Sequence, residues 1–205
     1  MRTLVDRLNG AFSDAVERVR EALVQVQVPY HGGGAGIVWR PDGLIVTNAH
    51  VVGRGPVAVV LPDGRRLEAR LVARSRRLDL AALAVEADVL TAAQIGDSRA
   101  LRAGELVFAL GHPFGITGAV TSGVVSGADP DSPASAPRRR AHEWLVLHMR
   151  LRPGNSGGPV LDARGRVVGI STVMAGPDVG MAVPAHVVEE FIADRAPLLV
   201  APATD

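Results

Sequence analysis

Leu4, Leu8, Phe12, Val16, Val19 and Leu23 recur at steps of three and four, with Asp, Glu and Arg between them. That is the period of an amphipathic helix. Gly10 predicts a break in it, with Ser13 or Asp14 capping the second half. From Ala22 onward short β-branched runs alternate with turn residues: 23–28, 36–39, 44–46, 57–61, 66–72, 80–85, 106–110, 119–126, 145–151, 160–161, 167–173 and 180–183. Pro41-Asp42-Gly43, Pro62-Asp63-Gly64 and Asp162-Ala163-Arg164-Gly165 punctuate them. A dozen short strands without helices between them predict an all-β fold of two tandem six-stranded antiparallel β-barrels.

The expected layout is an N-terminal helical segment over 1–20 and a main body over 21–195. Within the body, barrel 1 covers about 22–90, a connector 91–104, barrel 2 about 105–184 and a short C-terminal helix 185–195. Residues 196–205 read as a tail or linker stub. Asp129–His142, rich in Pro, Ser, Ala and Arg, reads as a mobile loop. No internal sequence repeat is strong enough to relate the two halves.

Composition narrows the chemistry. Aromatics make up only 3% of the 205 residues, so Val, Leu, Ile and Ala must fill the core. A formal net charge of +1 gives no strong pull toward nucleic acid or an anionic membrane. Lysine is absent, which excludes a P-loop nucleotide site. Cysteine is absent too, which removes disulfides, thiolate catalysis and cysteine–zinc sites. No run approaches the ~20 apolar residues of a membrane helix. Met1–Arg7 lacks the apolar stretch of a secretory signal, so the expectation is a chain that stays inside the cell or whose export segment lies outside this numbering. No HExxH or comparable ligand spacing is present, and Gly32-Gly33-Gly34 lacks the βαβ context of a dinucleotide site. The expectation is therefore no metal and no cofactor.

The stretch Gly154-Asn155-Ser156-Gly157-Gly158-Pro159 places a serine between glycines, with strand-like runs on either side. Glycines there permit unusual dihedrals and let a substrate carbonyl approach backbone N–H groups. By itself the stretch reads either as a glycine-rich turn or as a nucleophile beside an oxyanion hole. A nucleophilic serine needs a base and a group to orient that base. His50, in Thr47-Asn48-Ala49-His50-Val51-Val52, follows a strand end and can project into a cleft; a structural histidine is the other reading. Asp79 heads the apolar run Leu80–Val85, where an ionised carboxylate is costly without a partner. The partner is either His50 or a surface arginine, Arg76 or Arg77. The order His50, Asp79, Ser156 puts the first two on one barrel and the serine on the other, so a site would lie between them. Gly154–Gly158 also matches the nucleophile elbow of α/β hydrolases, but that fold needs alternating helices and its acid after the serine. Only 49 residues follow Ser156, and His186 is their one histidine.

At this point the chain resembles a known family. Gly43–Val52 looks like the catalytic-histidine segment of HtrA/Deg-type trypsin-like serine proteases, and Leu78–Leu83 like their aspartate segment. Ile95–Ser98, Leu110–Gly115 and Val120–Ser126 are similar to the linker and second barrel. Pro153–Pro159 resembles the serine loop, and Met181–Pro184 the strand before the C-terminal helix. The resemblance runs from about Ser13 to Asp194. It implies an ATP-independent serine endopeptidase acting on extended or unfolded polypeptide, with a part in protein quality control. Ser156 would be the nucleophile, His50 the general base and Asp79 its orienter, with the N–H groups of Gly154 and Ser156 forming the oxyanion hole. Ser171, Thr172 and Val173 would pair with substrate, and the Ser171 hydroxyl could reach Asp79. The family often assembles trimers through N-terminal segments; the Leu4–Phe12 stripe reads either as such a segment or as a face folded back on its own barrel. A second reading is a peptide-binding or chaperone-like module with a collapsed oxyanion hole.

Several positions depart from the family. No PDZ domain follows Asp194 within this numbering, so the expectation is either a single-domain member or one whose downstream part was removed. His148-Met149-Arg150-Leu151-Arg152 puts basic residues just before the serine loop. Arg150 then reads either as part of a basic specificity pocket or as a solvated residue paired with Glu143 or Asp162. His112 stands where asparagine is common and reads as a turn residue. Arg138-Arg139-Arg140 reads as a solvated loop, and His31 as a loop entering a strand.

Overall fold

The computed structural model describes residues 3–29, 32–53, 55–129 and 144–194. His31, Glu143, Arg138-Arg139-Arg140 and the 196–205 tail lie outside the described residues.

Helix α1 spans Leu4–Arg20 without a break. Thr3 caps it: its hydroxyl accepts from the Asp6 N–H, and the Asp6 carboxylate accepts from the Thr3 N–H at 2.9 Å. Gly10 has open space around it, and a single glycine costs a helix only about 1 kcal/mol, so the capped and packed helix runs through. Its second half buries Ala15, Val16 and Val19, and Phe12 packs on Phe108 at 5.2 Å between ring centroids. Leu4, Val5 and Leu8 in the first half stay exposed.

Strands β1 (Leu23–Val28), β2 (Gly32–Arg40), β3 (Leu44–Thr47), β4 (Val57–Val60), β5 (Arg66–Ser75) and β6 (Leu80–Val85) close one antiparallel barrel in the order β1-β2-β3-β6-β5-β4. Strands β7 (Leu106–Gly111), β8 (Ala119–Asp129), β9 (Trp144–His148), β10 (Pro159–Asp162), β11 (Val167–Gly176) and β12 (Val179–Pro184) close the other in the order β7-β8-β9-β12-β11-β10. The second order is the first shifted by six, so one topology is used twice although no sequence repeat betrays it. Closure removes the free edges that an open sheet would expose. Helix α2 (Ala185–Ala193) packs against β6, β11 and β12 through Val188, Phe191 and Ile192.

Every expected strand is present, seven of the twelve one to three residues longer, while 57–61 ends one residue early and 36–39 extends back to Gly32. The run expected over 145–151 loses most: pairing stops at His148, because its partner β12 begins opposite it at Val179. Beyond that point burial still alternates, with Met149 and Leu151 inside and His148, Arg150 and Arg152 outside.

The core is aliphatic, as the composition requires. One cluster fills barrel 1 and continues through Phe108, Leu110, Leu161, Ile170 and Val183 to α2, joining the barrels along a common seam. A second, with Val107, Leu145, Leu147 and Val160, fills barrel 2. The connector is tied to both barrels: the Ala93 N–H donates to the Val38 carbonyl on β2 at 3.0 Å, Ile95 bridges Val167 on β11, and the Ser98 hydroxyl meets His186 Nδ1 of α2 at 2.8 Å.

Candidate active site

His50 and Asp79 are brought together at the rim of barrel 1. His50 follows β3 and Asp79 immediately precedes β6, and β3 and β6 are paired neighbours. The imidazole Nδ1 lies 2.7 Å from Asp79 Oδ2, and the His50 backbone N–H donates to Asp79 Oδ1 at 3.0 Å. The Asp79 carbonyl accepts from the Ala49 N–H at 3.1 Å and from Asn48 Nδ2 at 2.9 Å. Asp79 itself sits at φ +53°, a left-handed conformation that aspartate tolerates better than most residues.

Burial pushes the Asp79 carboxyl upward, but bonds from the His50 ring, the Thr172 hydroxyl and the His50 N–H outweigh it, and the pKa falls below the ordinary carboxylate value. An ionised Asp79 can only accept, so the proton of a neutral His50 sits on Nδ1. Nε2 is left as a free acceptor. Of the two expected kinds of partner, His50 is the one paired with Asp79.

Ser156 comes from barrel 2 but docks on barrel 1. Its carbonyl accepts from the Ala35 N–H on β2 at 2.8 Å. The approach is close enough that a Cβ on Gly157, at φ +83°, would lie 2.2 Å from the Ala35 carbonyl and from Thr47 Oγ1. Gly157 is thus required by backbone contact between the barrels, whereas Gly154 and Gly158 are held against the His112 and Leu110 carbonyls of barrel 2. The Ser156 hydroxyl donates to the Thr172 carbonyl at 2.9 Å. Among the described residues it makes no hydrogen bond to His50.

The turn before the serine is well defined. Asn155 N–H donates to the Arg152 carbonyl at 2.9 Å, with Pro153 second and Gly154 third at φ +102°. Proline followed by a residue at positive φ is the pattern of a type II turn. The Gly154 carbonyl is held at 2.9 Å by the His112 N–H, and Asn155 Oδ1 accepts from the Arg152 N–H. Neither Gly154 N–H nor Ser156 N–H donates to any acceptor among the described residues.

On β11 the contact with Asp79 expected of Ser171 is made by its neighbour. The hydroxyl that reaches Asp79 Oδ2 belongs to Thr172, not Ser171. Ser171 is fully buried, and its hydroxyl donates to the carbonyls of Asn155 at 2.6 Å and Gly158 at 3.0 Å, bracing the serine loop. Successive strand residues face opposite sides, so a slip of one position swaps the two hydroxyls. Val173 and Met174, the next residues on, are exposed along this strand. Arg150 pairs with Asp178 at 3.3 Å rather than with Asp162, whose carboxylate is taken by Arg166. His112 is more than a turn residue. It is buried, its Nδ1 accepts from the Gly118 N–H at 3.3 Å, and burial pushes its pKa down.

A histidine–aspartate pair on one barrel facing a serine on a second barrel of the same topology is the plan of the trypsin-like serine peptidases. The comparisons agree. Residues 34–170 match the trypsin-like peptidase domain family, and the chain belongs to it. It is 41% identical over 140 residues to a probable periplasmic serine endoprotease, DegP-like, of Halomonas elongata, covering 68% of this chain and 29% of that protein. It is 35% identical over 193 residues to the mitochondrial serine protease HTRA2 of Bos taurus, covering 88% and 42%. Among solved structures, the HtrA-type protease AlgW with a decapeptide superposes with a TM-score of 0.81 at 26% identity, over 91% of this chain and 67% of that one. The serine endoprotease from Yersinia pestis gives 0.79 at 26% identity, over 91% and 66%. The chain therefore spans well under half the length of these curated relatives.

Proposed function

We propose that this chain is the peptidase part of an HtrA-type serine endopeptidase that cleaves extended or unfolded polypeptide through an acyl-enzyme. The observation that carries the reading is the 2.7 Å contact between His50 Nδ1 and Asp79 Oδ2, which leaves Nε2 as the unprotonated nitrogen of a neutral imidazole, with Thr172 bonded both to Asp79 and to the Ser156 hydroxyl. The Ser156 hydroxyl first turns from the Thr172 carbonyl to His50 Nε2. Its oxygen then attacks the substrate carbonyl while Nε2 takes the proton, and Asp79 stabilises the imidazolium. The N–H groups of Gly154 and Ser156, which have no acceptor among the described residues, receive the oxyanion. His50 returns the proton to the leaving amine, and water repeats the cycle to release the acid. No step calls for ATP or a metal.

The substrate lies as an added strand along Thr172, Val173 and Met174, with Ser171 behind it as a brace. Main-chain bonds of this kind favour unfolded chains over folded ones, which suits a quality-control role. Arg150 stands at the rim but is already paired, so an acidic substrate side chain would have to compete with Asp178. The exposed Leu4, Val5 and Leu8 provide an apolar stripe for self-association, with a trimer as the assembly.

The test is Ser156→Ala. Wild-type protein should be labelled stoichiometrically by a fluorophosphonate probe and should digest casein, and the variant should do neither while keeping its circular dichroism. Stoichiometric labelling of the variant would refute Ser156 as the nucleophile.

A further inference from the structure

The segment that carries His50 has a second anchor. The Arg74 guanidinium donates from Nη2 to the Ala49 carbonyl at 2.6 Å. We propose that Arg74 is a positioning residue for His50, an assignment that rests on His50 being the general base. Arg74 reaches the segment across the barrel 1 sheet: it pairs with Ala81 on β6, and Ala81 pairs on its other side with Thr47 on β3, two residues before Ala49.

The reason lies in where the bonds end. The Ala49 N–H, the His50 N–H and the His50 ring all bond to Asp79. Of the hydrogen bonds to Ala49 and His50 among the described residues, the one from Arg74 alone does not end on Asp79. A segment tied to a single residue can rock about it. A tie from a different strand removes that rotation. The peptide unit between Ala49 and His50 is held at both ends, its carbonyl by Arg74 and its N–H by Asp79 Oδ1. The direction in which the imidazole leaves the backbone follows from that plane. Asp79, at φ +53°, holds an unusual conformation that gains from an anchor outside itself. Arg74 forms no ion pair among the described residues, and its Nε–H is buried without an acceptor. Its bond to Ala49 is therefore not incidental to some stronger charge pairing.

Catalysis by a general base is sensitive to such placement, because a misplacement of about 1 Å can cost on the order of a hundredfold. The experiment compares full-length wild type, Arg74→Met, Arg74→Lys and Arg74→Gln, with Ser156→Ala as the inert reference. Casein-derived peptide kinetics, fluorophosphonate labelling rates and thermal midpoints are measured, with the downfield proton resonance of the His50 Nδ1–H···Asp79 bond followed by NMR. Arg74→Met should lower kcat and the labelling rate by about ten- to a hundredfold with KM unchanged, and should broaden the downfield resonance. Arg74→Lys, which keeps a cationic donor, should recover most of the loss. Should Arg74→Met fail to fold, Arg74→Gln takes its place in the same comparison. Wild-type labelling rates in Arg74→Met, or equal losses in the Lys and Met variants with an unchanged resonance, overturn the assignment. Wild-type protein that neither labels nor cleaves would instead refute the peptidase reading, and the NMR arm would still show whether Arg74 holds His50.

Discussion

Gly154→Ala tests the proposed oxyanion hole through a single added methyl. Gly154 sits at φ +102°, and a Cβ there would lie 2.5 Å from the His112 carbonyl oxygen, 2.8 Å from its carbon and 2.8 Å from Pro113 Cα. All three neighbours are backbone or ring-bound atoms, so no side-chain rotation can relieve the contact. The positive φ alone costs an L-residue about 1–2 kcal/mol. Losing the bond from the His112 N–H to the Gly154 carbonyl adds about 0.5–1.5 kcal/mol. A domain stable by about 5–15 kcal/mol survives that sum and relieves it by turning the peptide between Pro153 and Gly154 over. The turn then changes type, and the Gly154 N–H leaves the hole. Removal of one oxyanion donor lowers kcat by about 10²–10³, equivalent to about 2.7–4 kcal/mol. The assay is fluorophosphonate labelling and peptide turnover beside thermal unfolding. Gly64→Ala is the control, since Gly64 shares a positive φ of +88° but has open space around it and lies on a different turn. It should lose a similar increment for φ and no activity. A folded Gly154→Ala that labels within threefold of wild type would refute the role of its N–H.

Two other substitutions probe the rest of the reading. Thr172→Val removes the hydroxyl on Asp79 while keeping the shape of the side chain, and a hydrogen bond to a charged group is worth about 1.5–3 kcal/mol. The Asp79 pKa is depressed in the fold, so it contributes stability that is present above the unfolded carboxylate value of about 4 and is lost as pH falls through the lower folded value. Thr172→Val should therefore be less stable than wild type at pH 7, with the gap closing in acid; denaturant midpoints across pH read this, and a gap that widens toward acid would contradict it. Leu8→Glu places a charge in the exposed stripe of α1 and should reduce the mass seen by light scattering while leaving the monomer fold intact. An unchanged mass would remove that stripe from the interface.

Much of this protein is legible in its sequence. Short β-branched runs between turn residues located all twelve strands: β1 alternates in burial, while β3, β6 and β10 are buried almost throughout and read as continuous apolar runs. The helical stripe located α1, and three short segments pointed to His50, Asp79 and Ser156. Errors arose where one residue decides the outcome. Gly10 signalled a break that the capping box and the packing of Val16 and Val19 overrode. Ser171 and Thr172 both carry hydroxyls, and their order on a strand does not say which faces Asp79. That answer depends on the register of β11 against β12, which shifts between Ser171 and Met174.

What the sequence determined by itself is local: the strand periods, the turn glycines and the residue types that chemistry needs. Only the tertiary structure decided how those residues meet. Asp79 and His50 are 29 positions apart and become partners because β3 and β6 pair. Ser156 comes from the other barrel and reaches them because Gly34 and Gly157 allow two backbones to touch. Arg74 could not have been found from the chain alone, since its contact with Ala49 crosses an intervening strand and leaves no periodic trace. Contacts between residues far apart in the chain are set by strand order and barrel closure, and no local pattern encodes them.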